Sequence, residues 1–185
     1  MVVEGNKQLA KYAQMSNTLP NLKALVVWGE PIDQALATKC SVSVYSWQDF
    51  LSIGTNNNVS SRDVNARSEI HKPGNCCTLI YTSGTTGPPK AVMISHDNVT
   101  WTTANICEHY MDLNHSDRII SYLPLSHIAA QIIDVHASMN LGCCIFFAQP
   151  DALKGSLGTT MKEVRPTFFF GVPRVWEKIQ EKMVM

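Results

Sequence analysis

Long apolar runs are scarce in this chain of 185 residues. The longest clean one, Leu141 to Ala148, falls far short of the ~20 residues a helix needs to span a bilayer. Charge of one sign is not in excess either. Fifteen basic residues stand against 15 acidic ones, so no global field favours nucleic acid or an acidic membrane surface. No basic stripe with interleaved aromatics suggests a nucleic-acid partner. The opening segment MVVEGNKQLAKY lacks the basic-then-apolar organisation of a signal peptide. These absences lead us to expect a cytoplasmic protein, with room for peripheral contact with the endoplasmic reticulum or other membranes.

Several chemistries are missing as well. The six cysteines include two adjacent pairs, Cys76-Cys77 and Cys143-Cys144, and C-x-x-C occurs nowhere. Neighbours on a strand point to opposite faces, so neither pair is placed to grip one metal or close a bridge. Free, buried thiols are expected. His109 and His115, like His127 and His136, miss the i, i+4 spacing of a zinc pair. No metal site is expected, and no G-x-S-x-G elbow is present.

What is present is ample apolar material, 45% of the residues, with 16% charged, the balance of a globular protein. Residues 1–53 resemble the end of an upstream α/β unit. Leu22 to Gly29 and Val42 to Ser46 are expected strands, and Ser46 with Asp49 looks like a capping box opening the helix WQDFLSI. Residues 54–75 turn to Asn, Ser, Arg and Asp with almost no apolar periodicity, as in a surface connection. From 76 to 185 strands and helices alternate. Strands are expected at Cys76–Thr82, Ala91–Ser95, Arg118–Pro124, the run CCIFFA and the run TFFFG. The helices between them are expected to start at Asp97 or Asn98, at Ser126 and near Ser156, with Gly142 as a stop and Pro173 in the first turn of the last one. Such alternation implies an α/β fold with a mostly parallel sheet flanked by helices on both faces.

The chemistry is concentrated in one loop. Thr82, Ser83, Gly84, Thr85, Thr86, Gly87, Pro88, Pro89 and Lys90 follow directly on an apolar strand. Glycines bring backbone N–H groups against oxygens, hydroxyls add neutral donors, and the lysine adds a cation, which together suit a polyphosphate. The loop is not a Walker A motif. Gly84 and Gly87 enclose only two residues, and Ala91 follows the lysine where that motif has Ser or Thr. Two prolines without N–H groups exclude a helix interior, so the loop is expected to join strand to strand. His127, in the first turn of an expected helix after a strand, is a second candidate, placed where ligands of α/β folds bind. A local hydrogen bond at a helix start is the plainer role for it.

The segment YTSGTTGPPKAVMISHDN resembles the phosphate-binding signature of adenylate-forming enzymes, which include acyl-CoA synthetases, adenylation domains and luciferases. YLPLSHIAAQ from Tyr122, GVPRVWEKI from Gly171 and PDALKGSL from Pro150 look like the long-chain acyl-CoA synthetases of the bubblegum type. The resemblance implies an incomplete N-terminal domain of the adenylate-forming fold. It implies ATP with magnesium and coenzyme A as co-substrates, a long-chain fatty acid as substrate, and an AMP-forming ligase reaction. By the same resemblance Thr82 to Lys90 would hold ATP, and His127 would lie near the acyl and adenylate site. That family has further motifs for magnesium, ribose and the reacting carboxylate that do not occur here. The expectation is therefore a fragment or short isoform with no complete catalytic set. It would need the missing C-terminal part of the enzyme, or else survive as a truncated product with residual nucleotide or protein binding. One departure stands out: the family usually has glycine where this chain has Ala91.

Overall fold

The first sheet begins with residues 2–4. In the computed structural model, which describes residues 1–82 and 87–184, strand β1 (Val2–Glu4) pairs in parallel with β2 (Ala24–Trp28), and β2 pairs in parallel with β3 (Ser43–Ser46). The chain divides into two compact units, Met1–Ile70 and a second that begins at His71.

In the first unit, Val3, Leu25 and Val27 from the strands meet Leu9 of α1 (Gly5–Met15) in a small core. Removing each such side chain from water contributes roughly 1.5–3 kcal/mol. The turn from β1 into α1 requires glycine. Gly5 has φ +64°, and a Cβ built on it would collide with the Glu30 carboxylate. That carboxylate accepts the Asn6 N–H, while the Asn6 side chain bonds Pro31 O and Asp33 N, each at 2.8 Å. Asp33 in turn caps α2 (Gln34–Ala37). Ser46 caps α3 (Trp47–Asn56) as expected, its hydroxyl accepting from Asp49 N at 3.1 Å. The polar stretch 54–75 contains a helix, α4 (Ser61–Glu69), all of it exposed. Its driver is local: Ser60 and Asp63 form a complete capping box that a scan for apolar periodicity does not detect.

The second unit opens with a hairpin. Strand β4 (Cys76–Thr82) runs antiparallel to β5 (Lys90–Ser95), with Leu79 opposite Met93 and Thr82 opposite Lys90. Helix α5 (His96–His109) follows at once. Its cap is Ser95, which precedes both the expected Asp97 and the expected Asn98. Ser95 adopts the extended conformation a cap needs, and Asn98 serves at the third helical position, closing the box back onto Ser95 N at 3.1 Å.

Strand β6 (Arg118–Ser121) pairs in parallel with β7 (Cys144–Phe147). The connection holds α6 (Ile128–Ala130), π-helical turns over Gln131–Ala137, and α7 (Ser138–Leu141), stopped by Gly142 at φ +72° as expected. Helix α8 (Leu157–Val164) and helix α9 (Pro173–Val184) complete the described unit.

Three expectations need correction here. The TFFFG segment forms one isolated bridge, Ile119 to Phe168, in place of a strand. Thr167 N and Phe168 N both donate to the single Arg118 carbonyl, so successive ladder rungs do not form. Burial on both faces holds for β6, with Ile119 at 0% and Ile120 at 3% exposure, but not for β7, where Phe147 is 75% exposed. The thiols are free, yet Cys76, Cys77 and Cys144 are exposed and the other three only half-buried.

Candidate functional site

The loop that carries the chemistry connects β4 to β5, joining strand to strand as expected. Thr82 and Lys90 form its last cross-strand pair, and the Thr82 hydroxyl donates to the Lys90 carbonyl at 3.5 Å. Both side chains are exposed, as are Gly87, Pro88 and Pro89. Gly87 has φ +104°, and among the described residues a Cβ there would meet nothing within 4 Å. That backbone conformation is one glycine adopts without strain. Ser83, Gly84, Thr85 and Thr86 lie outside the described residues.

Ala91 lies within β5, opposite Tyr81. Among the described non-glycine residues only Asn58 and Arg165 have positive φ. The methyl group at position 91 therefore sits on ordinary extended backbone, and the strain that a departure from glycine could have introduced is absent.

His127 does not open a helix from inside its first turn. It is the N-cap of α6, and the helix begins two residues after the expected Ser126. Its Nδ1 accepts the Ala129 N–H at 3.2 Å, which assigns the ring proton to Nε2. The turn is fixed on both sides: His127 N donates to Pro124 O at 2.9 Å, and the Gln131 side chain donates to Leu125 O at 2.7 Å. One imidazole nitrogen is thus engaged in capping, and the exposed Nε2 is the one left to reach a ligand. Among the described residues no hydrogen bond joins His127 to Thr82 or Lys90.

Sequence reasoning missed a buried polar pair beside this turn. Ser121, the last residue of β6, donates its hydroxyl to Asp134 Oδ2 at 2.8 Å. Ser121 is 6% and Asp134 5% exposed. Burial pushes the Asp134 carboxyl above its ordinary value, and the Ser121 hydroxyl offsets this in part. Next to Ser121, Tyr122 stacks on Phe169 with ring centroids 5.3 Å apart and donates to Phe170 O at 3.0 Å. Burial raises the Tyr122 phenol too, and the Asp134 carboxylate adds to that. The available signal was a lone acid inside the apolar run IAAQIIDVHA. A carboxylate there must find a donor or face a heavy desolvation penalty.

Arg118 and Asp117 anchor the other end of β6. The Arg118 guanidinium donates twice to Arg165 O, at 3.2 and 3.0 Å. Asp117 accepts from the Thr167 hydroxyl and from Asn114 N, each at 2.7 Å, and these bonds hold its carboxyl below the ordinary range. Among the described residues no group of three or more His, Cys, Asp or Glu side chains converges on a metal position.

Comparison with known proteins places this geometry. The family described as AMP-binding enzyme matches residues 24–184. The chain is 50% identical to the long-chain-fatty-acid–CoA ligase ACSBG2 of Xenopus laevis, over 99% of this chain and 24% of that protein. It is 47% identical to the ligase of the same name from Gallus gallus, again over 99% of this chain and 24% of that protein. The chain thus spans about a quarter of the length of these relatives. Among solved structures, the A-PCP didomain of a carboxylic acid reductase from Segniliparus rugosus in complex with AMP superposes with a TM-score of 0.66 at 21% identity, over 98% of this chain and 26% of that one. That likeness speaks for the fold.

Proposed function

This chain belongs to the AMP-binding enzyme family, and from that premise we propose that it is the phosphate-loop segment of an ATP-dependent long-chain fatty-acid–CoA ligase. The observation that carries the reading is the hairpin loop from Thr82 to Lys90. Its glycine turn, its prolines and its exposed lysine opposite Thr82 offer donors and a cation to a polyanion without the rigidity of a helix start.

In this reading the fatty-acid carboxylate attacks the α-phosphate of ATP. The bond to the β-phosphate breaks and pyrophosphate leaves; the thiol of coenzyme A then attacks the acyl carbon, loses its proton, and the acyl–phosphate bond breaks to release AMP. The carboxylate is already nucleophilic, so the loop's work is positioning and charge neutralisation. Lys90 and the loop hydroxyls hold the β- and γ-phosphates, and magnesium bound with the nucleotide would share their charge. One such donor contributes about 3 kcal/mol where charge develops. His127 presents Nε2 toward the acyl and adenylate end. The assembly works in the cytoplasm, with peripheral contact to membranes where its apolar substrate resides.

The test is ATP–pyrophosphate exchange by a protein of the relatives' full length that carries this segment. Exchange that depends on palmitate supports the ligase reading. Exchange that ignores fatty acid, or hydrolysis of ATP to ADP, sinks it.

A further inference from the structure

Between the end of β6 at Ser121 and the start of α6 at Ile128 the chain has neither strand nor helix, so no regular ladder places His127. Two side chains of the π-helical turns Gln131–Ala137 hold this stretch instead, one toward each end. At the near end Asp134 Oδ2 accepts the Ser121 hydroxyl at 2.8 Å, with both residues buried. Toward the far end the Gln131 side chain donates to Leu125 O at 2.7 Å, and Gln131 N donates to His127 O at 3.1 Å. Pro124 O accepts the His127 N–H at 2.9 Å, which makes Leu125 O the middle carbonyl of a four-residue turn. Types I and II of such a turn differ in the direction of the middle peptide, and type II needs positive φ at its third residue. Ser126 is not among the residues with positive φ. Gln131 thus holds the middle peptide in the orientation that a serine tolerates.

We propose that Gln131 and Asp134 are positioning residues. Acting through the turn, they set where the His127 ring stands relative to β6, and so whether its free Nε2 meets the acyl end of the substrate. The inference rests on the ligase reading. Among the described residues no hydrogen bond joins either side chain to Thr82 or Lys90, so the phosphate loop is set independently of them. A misplacement of about 1 Å can cost about a hundredfold in rate. Loss of one bond from a turn that keeps its Pro124–His127 closure is expected to cost about tenfold.

Palmitate-dependent ATP–pyrophosphate exchange by a protein of the relatives' full length tests this through double-mutant cycles. Gln131→Met keeps the side chain's length and removes its donor. Asp134→Leu removes the acceptor for Ser121, and Asp134→Asn retains one. Gln131→Met and Asp134→Leu are each expected to lower kcat about tenfold and to leave the KM for ATP within about twofold. Asp134→Asn should stay within about twofold of the parent in both. In a His127→Ala background Gln131→Met and Asp134→Leu should cost no more than about twofold further, whereas in a Lys90→Ala background each should keep its tenfold effect. A merely structural role would reduce all three backgrounds alike. Circular dichroism melts establish that each variant is folded; if Asp134→Leu is not, Gln131→Met, at a half-buried residue, decides alone. A full tenfold loss in the His127→Ala background, or a parent rate in Gln131→Met, would overturn the proposal while palmitate-dependent exchange by the parent leaves the ligase reading standing. Parent exchange that ignores palmitate would sink that reading, and this inference with it.

Discussion

The Ser121 hydroxyl donates a 2.8 Å hydrogen bond to Asp134 Oδ2, joining the end of β6 to the π-helical turns in a place nearly closed to water. No basic side chain among the described residues pairs with this carboxylate. Single-turn π insertions in helices often mark functional positions, and here the π-helical turns carry a buried acid behind Tyr122.

Asp134 gives the first prediction. Burial raises its folded-state pKa, so the folded chain keeps this proton to higher pH than the unfolded chain. The group's stabilising contribution is complete below the ordinary carboxylate pKa and is lost as pH rises through the folded value. Asn keeps an acceptor for Ser121 and cannot ionise. Asp134→Asn is therefore expected to be about 1 kcal/mol more stable at pH 8 than the parent, with a smaller difference at pH 4. Urea unfolding at both pH values measures this, and an equal difference at the two would remove the buried acid as its cause. Asp117 and Asp63 carry the opposite slope, since both are lowered by hydrogen bonds. Their contributions fade as pH falls, and the substitution leaves that limb in place.

Lys90 gives the second. In a protein of the relatives' full length, Lys90→Ala is expected to slow palmitate-dependent pyrophosphate exchange at least tenfold at subsaturating ATP. Tenfold corresponds to about 1.4 kcal/mol, a modest value for a cation removed from a polyphosphate site. Lys90→Arg should retain part of the rate. Unchanged exchange in Lys90→Ala would show that the lysine is not a phosphate ligand.

Much of this fold was legible because its signals are local. Ser46 with Asp49, Gly142 and Pro173 mark helix ends by side-chain or backbone chemistry that needs no tertiary context. The hairpin followed from Pro88 and Pro89 for the same reason. What failed was non-local. Phe168 to Phe170 have every local property of a strand, yet their pairing depends on how Arg118 O shares its bonds. The Phe147 side chain looked like core material because sequence shows hydrophobicity and not which neighbour covers it. At His127 the structure shows the plainer role, a local hydrogen bond at a helix start, and only the position of the Ala129 N–H assigns its Nδ1 to the cap. Asp134 was visible as a lone acid, but its donor lies 13 residues away on another element.

Ala91 supports a third prediction. Since its backbone is strand, paired opposite Tyr81, glycine there would add freedom to the unfolded chain and gain nothing in the folded one. Ala91→Gly is expected to destabilise the hairpin by a few tenths to about 1 kcal/mol. ATP affinity in a full-length protein should not improve. Tighter nucleotide binding in the glycine variant would mean that the loop adopts another conformation around its ligand.

The last prediction concerns the 185 residues taken alone. They are not expected to form acyl-CoA. Of the groups the proposed reaction needs, the described residues supply the phosphate-loop mouth, with Thr82 opposite Lys90, and a capping histidine with one free ring nitrogen. No acidic cluster suited to a metal is found among the described residues. Catalytic groups that act as a unit do not compensate for one another when most are missing, so a residual rate near background is expected, not a proportionate fraction. The same polypeptide also exposes large apolar side chains on its hairpin, with Met93 at 73% and Tyr81 at 67%. Strand edges and apolar surface of this kind favour self-association. Purified chain incubated with ATP, magnesium, coenzyme A and labelled palmitate should give no thioester above a heat-denatured control, and light scattering should report association at micromolar concentration. Thioester formation by preparations shown free of host synthetase would establish that this segment holds a complete site and would refute the division of labour argued for Lys90 and His127.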